Sequence, residues 1–302
     1  MKQRVPKCRK HVRVELARES RIATLLVQGP NNPAPVGTDA AQEEGDTFWP
    51  LTVARELEDA ILHLRFNEPT LGLLLLRTHG DAERMLAYDA FLARHQDHWL
   101  IREIRHYLKR VLKRLDVTAR SLVALIEPGS CFAGTLAELA FAADRSMMLI
   151  GRRDGDNQPA AALVLSEANF SHYPMGNGLT RLATRFLGEP ESLERARAKI
   201  GQPVEAEEAD ALGLVTSAIA SFDWDDAIRL MGEERLSFSP DALTGMEANL
   251  RFAGPETIET KIFGRLTAWQ NWIFQRPNSV GTQGALTLYG SGIKPTFDRD
   301  RV

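Results

Sequence analysis

The sequence predicts an α/β fold with a mostly parallel sheet and a helical C-terminal extension. Short apolar runs that are typical of buried strands occur at residues 71–76, 122–126 and 161–165. Segments with helical, amphipathic spacing lie between them. Strands that alternate with helices indicate βαβ units with right-handed crossovers, which build parallel sheets. This pattern predicts three parts: an N-terminal strand pair with a flexible loop (residues 1–47), a core (48–220) and the helical extension (221–302).

The first elements are predicted to be a β-hairpin and a long loop. Val12, Val14 and Leu16 alternate with polar residues, and a second apolar run follows at residues 22–27. The period of two is typical of paired strands that are half buried. Residues 29–47 are rich in Gly, Pro, Asn and acidic residues, which predicts a loop that buries nothing.

Amphipathic helices are predicted next. The first helix ends near Pro69. Its apolar face consists of Val53, Leu57, Ala60, Ile61 and Leu64. The second, over residues 100–115, has a basic face that is either solvated or anion-binding, and such faces are commonly solvated. A further helix at residues 135–143 follows the turn at Pro128 and Gly129. Beyond residue 220 the pattern is helical, with four aromatic anchors: Phe263, Trp269, Trp272 and Phe274.

Composition excludes several classes of function. Lys and Arg total 37 against 40 Asp and Glu, a net charge of −3, which argues against a nucleic-acid partner. Two cysteines, Cys8 and Cys131, are too few for a disulfide framework or a thiolate zinc site, and no histidine spacing predicts a metal site. No secretory signal and no apolar run of membrane-spanning length is predicted. We therefore expect a cytoplasmic protein with no membrane partner.

The most informative stretch is residues 122–144, where a strand runs through a turn of small residues directly into a helix. Unpaired N–H groups at such a turn can bind a carbonyl oxygen that becomes negative, and Gly134 lies there. The alternative is that Gly134 only lets the helix pack closely against a strand. Cys131, three residues earlier, is interpreted as a buried residue rather than a nucleophile, because no His or Asp lies at motif distance.

Two glutamates are candidates for acid and base chemistry. Glu138 lies in the first turn of the predicted helix, and Glu167 follows the apolar run at residues 161–165. The ends of parallel strands meet at one edge of a sheet, so the two carboxylates are expected to converge there and to divide acid and base roles. The alternative for Glu138 is a helix-capping or surface residue.

These segments resemble the crotonase (enoyl-CoA hydratase/isomerase) superfamily. Residues 129–144 resemble its second oxyanion segment, residues 165–170 resemble the strand and turn that bear its second acid, and residues 206–215 resemble its closing helix and strand. The resemblance implies a crotonase-like spiral of ββα units. It also implies that Glu138 and Glu167 are the two acids and that Gly134 or Thr135 supplies one oxyanion N–H. Residues 73–89 resemble the first oxyanion strand and loop, which implies a second N–H near Tyr88.

Within this superfamily, residues 121–145 and 239–281 most resemble lyases that open the ring of 2,3-epoxybenzoyl-CoA and release formate. Those lyases are about twice as long and contain two crotonase-like halves, of which the chain resembles the second. The resemblance implies an acyl-CoA thioester as substrate, with no metal, flavin or nicotinamide cofactor. It also implies either a homo-oligomer or pairing with another crotonase-like domain.

Two departures from the superfamily pattern leave other functions open. Ala133, Gly134 and Thr135 stand in place of three glycines, and residues 79–86 replace a small-residue loop. The alternatives are a generic enoyl-CoA hydratase or isomerase, and a non-catalytic crotonase-like half that supports a catalytic partner. The second alternative would use the aromatic tail as its interface.

Overall fold

The computed structural model describes residues 10–153 and 155–300, together with the backbone of residues 3–4. Two sheets carry the strands. The seven strands of the larger sheet stand in the order β1-β2-β3-β4-β5-β7-β10. They are β1 (Gln3–Arg4), β2 (Val12–Ala17), β3 (Ile22–Gln28), β4 (Leu73–His79), β5 (Ser121–Ile126), β7 (Arg145–Leu149) and β10 (Ser217–Ile219). The smaller sheet contains β6 (Phe132–Ala133), β8 (Ala162–Val164) and β9 (Pro203–Glu205).

The helices connect and cover these strands. In the first half they are α1 (Thr38–Glu44), α2 (Trp49–Asn67), α3 (Ala82–Arg94), α4 (Trp99–Asp116) and α5 (Ala137–Phe141). The short helices α6 (Ala168–Ser171), α7 (Arg181–Arg185), α8 (Pro190–Arg197) and α9 (Ala206–Ala211) follow. The extension contains α10 (Trp224–Ser237), α11 (Pro240–Leu250), a π-helical segment (Thr260–Leu266), α12 (Thr267–Ile273) and α13 (Pro277–Val280).

The larger sheet is mostly parallel, as the sequence predicts. The predicted hairpin is confirmed, because β2 and β3 pair antiparallel with Val12 opposite Val27. From β3 onward every pairing in this sheet is parallel. Adjacent residues of β4, β5 and β7 point to opposite faces, and both faces are apolar. The strands are therefore buried on both sides, as continuous apolar runs require.

Different layers cover the two faces of the sheet. One face packs against a large core to which α2, α3 and α4 contribute. The other face contributes to a smaller apolar cluster, in which Trp224 of α10 packs with residues of the strands: Leu73, Val123, Leu125, Met147 and Leu149. Trp224 is fully buried, so the first helix of the predicted extension is part of the core. The N-terminal strands likewise belong to the main sheet.

Three local predictions need correction. Residues 29–47 are not entirely a loop, because α1 forms there and buries Ala41. Residues 82–89, which the resemblance places in the first oxyanion loop, lie in α3. The aromatic residues of the extension are not buried anchors: Phe263 is 73% exposed and Phe274 is 48% exposed. Trp269 and Trp272 are half-buried and contact each other edge to face, with ring centroids 5.3 Å apart.

Candidate functional site

A mostly apolar cavity of about 250 Å³ lies between α3 and the end of β8. Its apolar lining comes from Leu86, Ala90, Ala93, Leu165, Ala168 and Ile200, with Gly201 completing the wall. Four polar residues also line it: Asp89, Ser166, Glu167 and His172. Apolar walls with a few placed polar groups are typical of small-molecule sites.

Asp89 of α3 is the buried acid of this cavity. Its Oδ2 accepts hydrogen bonds from the Thr135 N–H (2.9 Å) and from Ser166 Oγ (2.7 Å). Its Oδ1 accepts one from Thr135 Oγ1 at 2.5 Å. All three donors are neutral groups. Burial raises the pKa of Asp89 to about 6, although the hydrogen bonds to Thr135 and Ser166 oppose that shift.

The fold explains how these donors converge. Strands β6 and β8 are parallel neighbours, so the residues that follow them lie at the same end of the small sheet. Thr135 follows β6 and Ser166 follows β8, and α3 places Asp89 against both. Gly134 allows this approach: its φ is +47°, and a Cβ there would lie 2.0 Å from Asp89 Oδ2. The position of the Asp89 carboxylate therefore requires a glycine at residue 134.

Glu167 lies at the rim of the cavity, where α6 begins. Its side chain is 66% exposed and forms a salt bridge with Arg197 (Nη1 to Oε2, 3.1 Å). His172 lines the same cavity, and burial lowers its pKa to about 4, so the imidazole is neutral at pH 7. The cavity thus brings together two carboxyl groups in different surroundings.

Glu138 belongs to a different cluster. Its Oε2 accepts a hydrogen bond from Arg181 Nη1 at 2.7 Å, and its Oε1 accepts one from Asn169 Nδ2 at 2.8 Å. Arg181 also holds both carboxylate oxygens of Asp116, at 3.0 and 2.7 Å. Burial raises the pKa of Glu138, while Arg181 and Asn169 oppose the rise. Glu138 does not line the described cavity that Glu167 lines.

The remaining predicted site residues are those of the oxyanion hole: Tyr88, Gly134 and Thr135. Tyr88 lies inside α3, where an N–H bonds to the carbonyl four residues earlier, so its N–H is not free for a ligand. Its ring packs among Phe48 and Trp49, and burial raises the pKa of its hydroxyl to about 12. The Thr135 N–H is free of helix bonding but donates to Asp89. The structure therefore places Gly134 and Thr135 against Asp89, which lines the cavity together with Glu167. Tyr88 does not line that cavity.

Sequence reasoning missed Asp89. A signal was present: the apolar residues Met85, Leu92 and Phe91 around it follow helical spacing, and Asp89 lies on their buried side. An acid on the apolar face of a helix requires buried partners. Cys131 is buried, and burial raises the pKa of its thiol to about 12, which favours the non-nucleophilic interpretation.

Neither a metal site nor a membrane span is found among the described residues. No group of three or more His, Cys, Asp or Glu side chains there could hold a metal ion. In the same part of the chain, no helix combines the length and the apolar composition needed to cross a membrane.

Comparison with known proteins agrees with this fold. No family model matches the chain. It is 50% identical over 285 residues to benzoyl-CoA-dihydrodiol lyase from Aromatoleum evansii; the match covers 94% of this chain and 50% of that relative. The chain therefore spans about half the length of the relative it matches.

Solved structures show the same fold at low identity. An enoyl-CoA hydratase from Geobacillus kaustophilus superposes with a TM-score of 0.68 at 16% identity, over 99% of this chain and all of that one. An enoyl-CoA hydratase from Bacillus anthracis gives 0.64 at 14% identity, over 96% of this chain and 100% of that one. The chain thus has the crotonase (enoyl-CoA hydratase) fold and is a sequence relative of about half of benzoyl-CoA-dihydrodiol lyase.

Proposed function

We propose that this chain is one crotonase-fold half of a lyase that opens the oxidised ring of an aromatic acyl-CoA. The observation that carries this proposal is the 50% identity to benzoyl-CoA-dihydrodiol lyase over 94% of the chain. The fold alone supports no choice of reaction, because one fold hosts many chemistries. The sequence match extends through the cavity and the helical extension, which supports a shared substrate class.

The substrate is proposed to be 2,3-epoxybenzoyl-CoA, converted through its dihydrodiol to formate and 3,4-didehydroadipyl-CoA semialdehyde. Epoxide and dihydrodiol differ by one water, and a second water balances the release of formate. The conversion involves no net oxidation or reduction, so it requires no flavin or nicotinamide. The reaction belongs to aerobic benzoate degradation, and the low cysteine count favours the cytoplasm as its compartment.

The cavity suits an aromatic ring. Its volume of about 250 Å³ exceeds the ~150 Å³ of an apolar cavity that binds benzene. The surplus leaves room for the ring oxygens and a water molecule. Leu86, Ala93 and Ile200 would contact the ring, and Asp89 and Glu167 would face its polar atoms. These features support a binding site for an aromatic ring.

In this proposal the Thr135 N–H does not bind the thioester carbonyl. Asp89 already occupies that donor, and Tyr88 has no free N–H to complete a pair. We propose instead that the turn positions Asp89. A second crotonase-fold unit, corresponding to the half of the relative outside the match, is the proposed partner.

The test is an assay of formate and of CoA products from 2,3-epoxybenzoyl-CoA. The chain is assayed alone and after mixing with the other half of the Aromatoleum evansii relative. Formate in either sample supports the proposal, and formate from the chain alone would assign a complete site to it. The absence of formate from both samples, with folded protein in each, would contradict the proposal.

Two alternative functions follow from the sequence. A generic enoyl-CoA hydratase or isomerase would hydrate crotonyl-CoA without a partner. The occupied Thr135 N–H and the ion-paired Glu138 favour a non-catalytic half. That half would leave the activity of the mixture unchanged when both Asp89 and Glu167 are replaced.

A further inference from the structure

We propose that Glu247 of α11 and Asp144 of the core share one proton, and that loss of this proton loosens the docking of α11 on the core. The two residues and Arg251 form what we call the proton clamp. The inference goes beyond the proposed function, because it concerns how the helical extension is held and not which substrate is bound.

Arg251, which directly follows α11, joins the two carboxyl groups. Its Nη2 donates to Asp144 Oδ1 at 2.8 Å and to Glu247 Oε2 at 2.5 Å, and its Nε donates to the same Glu247 oxygen at 2.9 Å. Its Nη1 donates to the carbonyl oxygen of Ala142. Each of the three side chains of the clamp is at most 14% exposed. The two carboxyl groups therefore meet at one nitrogen atom, on the boundary between α11 and the core.

Asp144 is the fixed side of the clamp. Its Oδ2 accepts a hydrogen bond from the Leu122 N–H of β5 at 2.7 Å, which ties the carboxyl group to the main sheet. Arg235 of α10 is a more distant cation: its Nη2 lies 3.5 Å from Asp144 Oδ2, and its Nε donates to Ser121 Oγ at 2.9 Å. At short range, Arg251 thus serves both carboxyl groups of the clamp.

The charges around the clamp also favour a bound proton. The charge of Asp116 acts on Arg251, and Asp116 is paired with Arg181, which also holds Glu138. Lys113 of α4 is half-buried and attracts Asp116 less than Arg181 does. The connected cluster contains four carboxyl groups and three guanidinium groups: Asp116, Glu138, Asp144 and Glu247, with Arg181, Arg235 and Arg251. One bound proton brings the charge of this cluster to zero.

Glu247 is the group that holds this proton. Two carboxyl groups can form a hydrogen bond with each other only when one of them is protonated. Burial raises the pKa of Glu247 to about 7; the charge of Asp144 and a hydrogen bond to its carboxyl group add to the shift, and Arg251 opposes it. Docking of α11 is therefore strongest below pH 4.5, the ordinary pKa of Glu247, and weakens as the pH rises through about 7.

Hydrogen exchange of the full chain at pH 5 and pH 8 tests the proposal. Each exchange rate is divided by the rate of an unstructured amide at the same pH, which gives a protection factor. For α11 the protection factor should fall by at least about tenfold between pH 5 and pH 8. Strand β5 should stay better protected than α11 at pH 8, because the opening is local.

Two variants assign the effect to the clamp. In Glu247→Gln the amide is neutral at both pH values, can donate to Asp144 and can accept from Arg251, so the protection of α11 should change by less than about threefold. Glu233→Gln is the matched control, because Glu233 pairs with Arg229 at the same spacing on the exposed side of α10. This control should show the same decline as the parent.

The outcomes that overturn the proposal are distinct. One is equal protection of α11 at the two pH values in the parent, a result that does not depend on the folding of any variant. Another is a decline in Glu247→Gln as large as that of the parent. Equal protection of α11 and β5 at pH 8 would also overturn it, because the whole protein would then open as one unit.

Discussion

Arg181 and Glu138 form an ion pair in the interior of the protein, with Nη1 and Oε2 separated by 2.7 Å and each side chain 1% exposed. Arg181 also pairs with Asp116 at 2.7 Å. One guanidinium thus pairs with two buried carboxylates, one from α4 and one from α5. The cluster joins three helices behind the candidate site, which gives Glu138 a structural role.

Arg181→Met should destabilise the protein strongly. The substitution leaves Glu138 and Asp116 buried without their cation, and breaking a buried pair typically costs about 3–5 kcal/mol. Urea unfolding followed by circular dichroism measures the loss. The control is Arg197→Met, which removes the exposed salt bridge to Glu167 and should cost less than about 1 kcal/mol. Similar losses in both variants would show that the buried cluster contributes no special stability.

Glu138→Gln should change stability more than turnover. The amide retains a hydrogen-bonding group toward Asn169 and leaves Arg181 paired with Asp116, so a loss of about 1–3 kcal/mol is expected. At temperatures where the variant is folded, kcat for formate release should stay within a few-fold of the parent. A 100-fold loss of kcat in the folded variant would instead support the catalytic role that the resemblance implies.

The fold was largely predictable from patterns in the sequence. The alternation of Val12, Val14 and Leu16 produced a correct hairpin, and continuous apolar runs marked strands that are buried on both faces. Sequence analysis did not predict helix α3, because the resemblance assigns residues 73–89 to a strand and a loop. Its N-cap signal was nevertheless present, since Asp81 accepts hydrogen bonds from the N–H groups of Glu83 and Arg84.

The candidate site was less predictable, because it depends on contacts between distant residues. Thr135 and Asp89 are 46 positions apart, and no local spacing links them. Sequence spacing suggested that Glu138 and Glu167 converge, but Arg181 binds Glu138 from 43 positions away. Such partners depend on tertiary packing, which pattern and propensity do not encode.

Gly134→Ala should be destabilising because of Asp89. The new Cβ would lie 2.0 Å from Asp89 Oδ2, at a backbone φ of +47° that L-residues avoid. We expect a loss of at least about 2 kcal/mol in urea unfolding. Adding Asp89→Ala should recover part of that loss, with a coupling of about 1 kcal/mol or more in the double-mutant cycle. Simple additivity of the two changes would show that they do not meet.

The stability of the protein should fall as pH rises through the titration of Asp89. The folded state raises the pKa of this acid from 3.8 to about 6, so between these values the folded state binds more protons than the unfolded state. Relative to Asp89→Asn, the parent should therefore lose on the order of 2 kcal/mol between pH 4 and pH 7. Urea unfolding of both proteins at the two pH values measures the difference. A constant difference would mean that Asp89 titrates normally.

The carbon balance of the reaction tests the proposed ring opening most directly. The chain and the other half of its relative are mixed with 2,3-epoxybenzoyl-CoA, and formate and CoA thioesters are quantified by mass spectrometry. We predict equal amounts of formate and of a CoA thioester that has one carbon fewer in its acyl group. Hydration of crotonyl-CoA by the chain, with no formate from any mixture, would contradict the proposed lyase function and favour a generic enoyl-CoA hydratase.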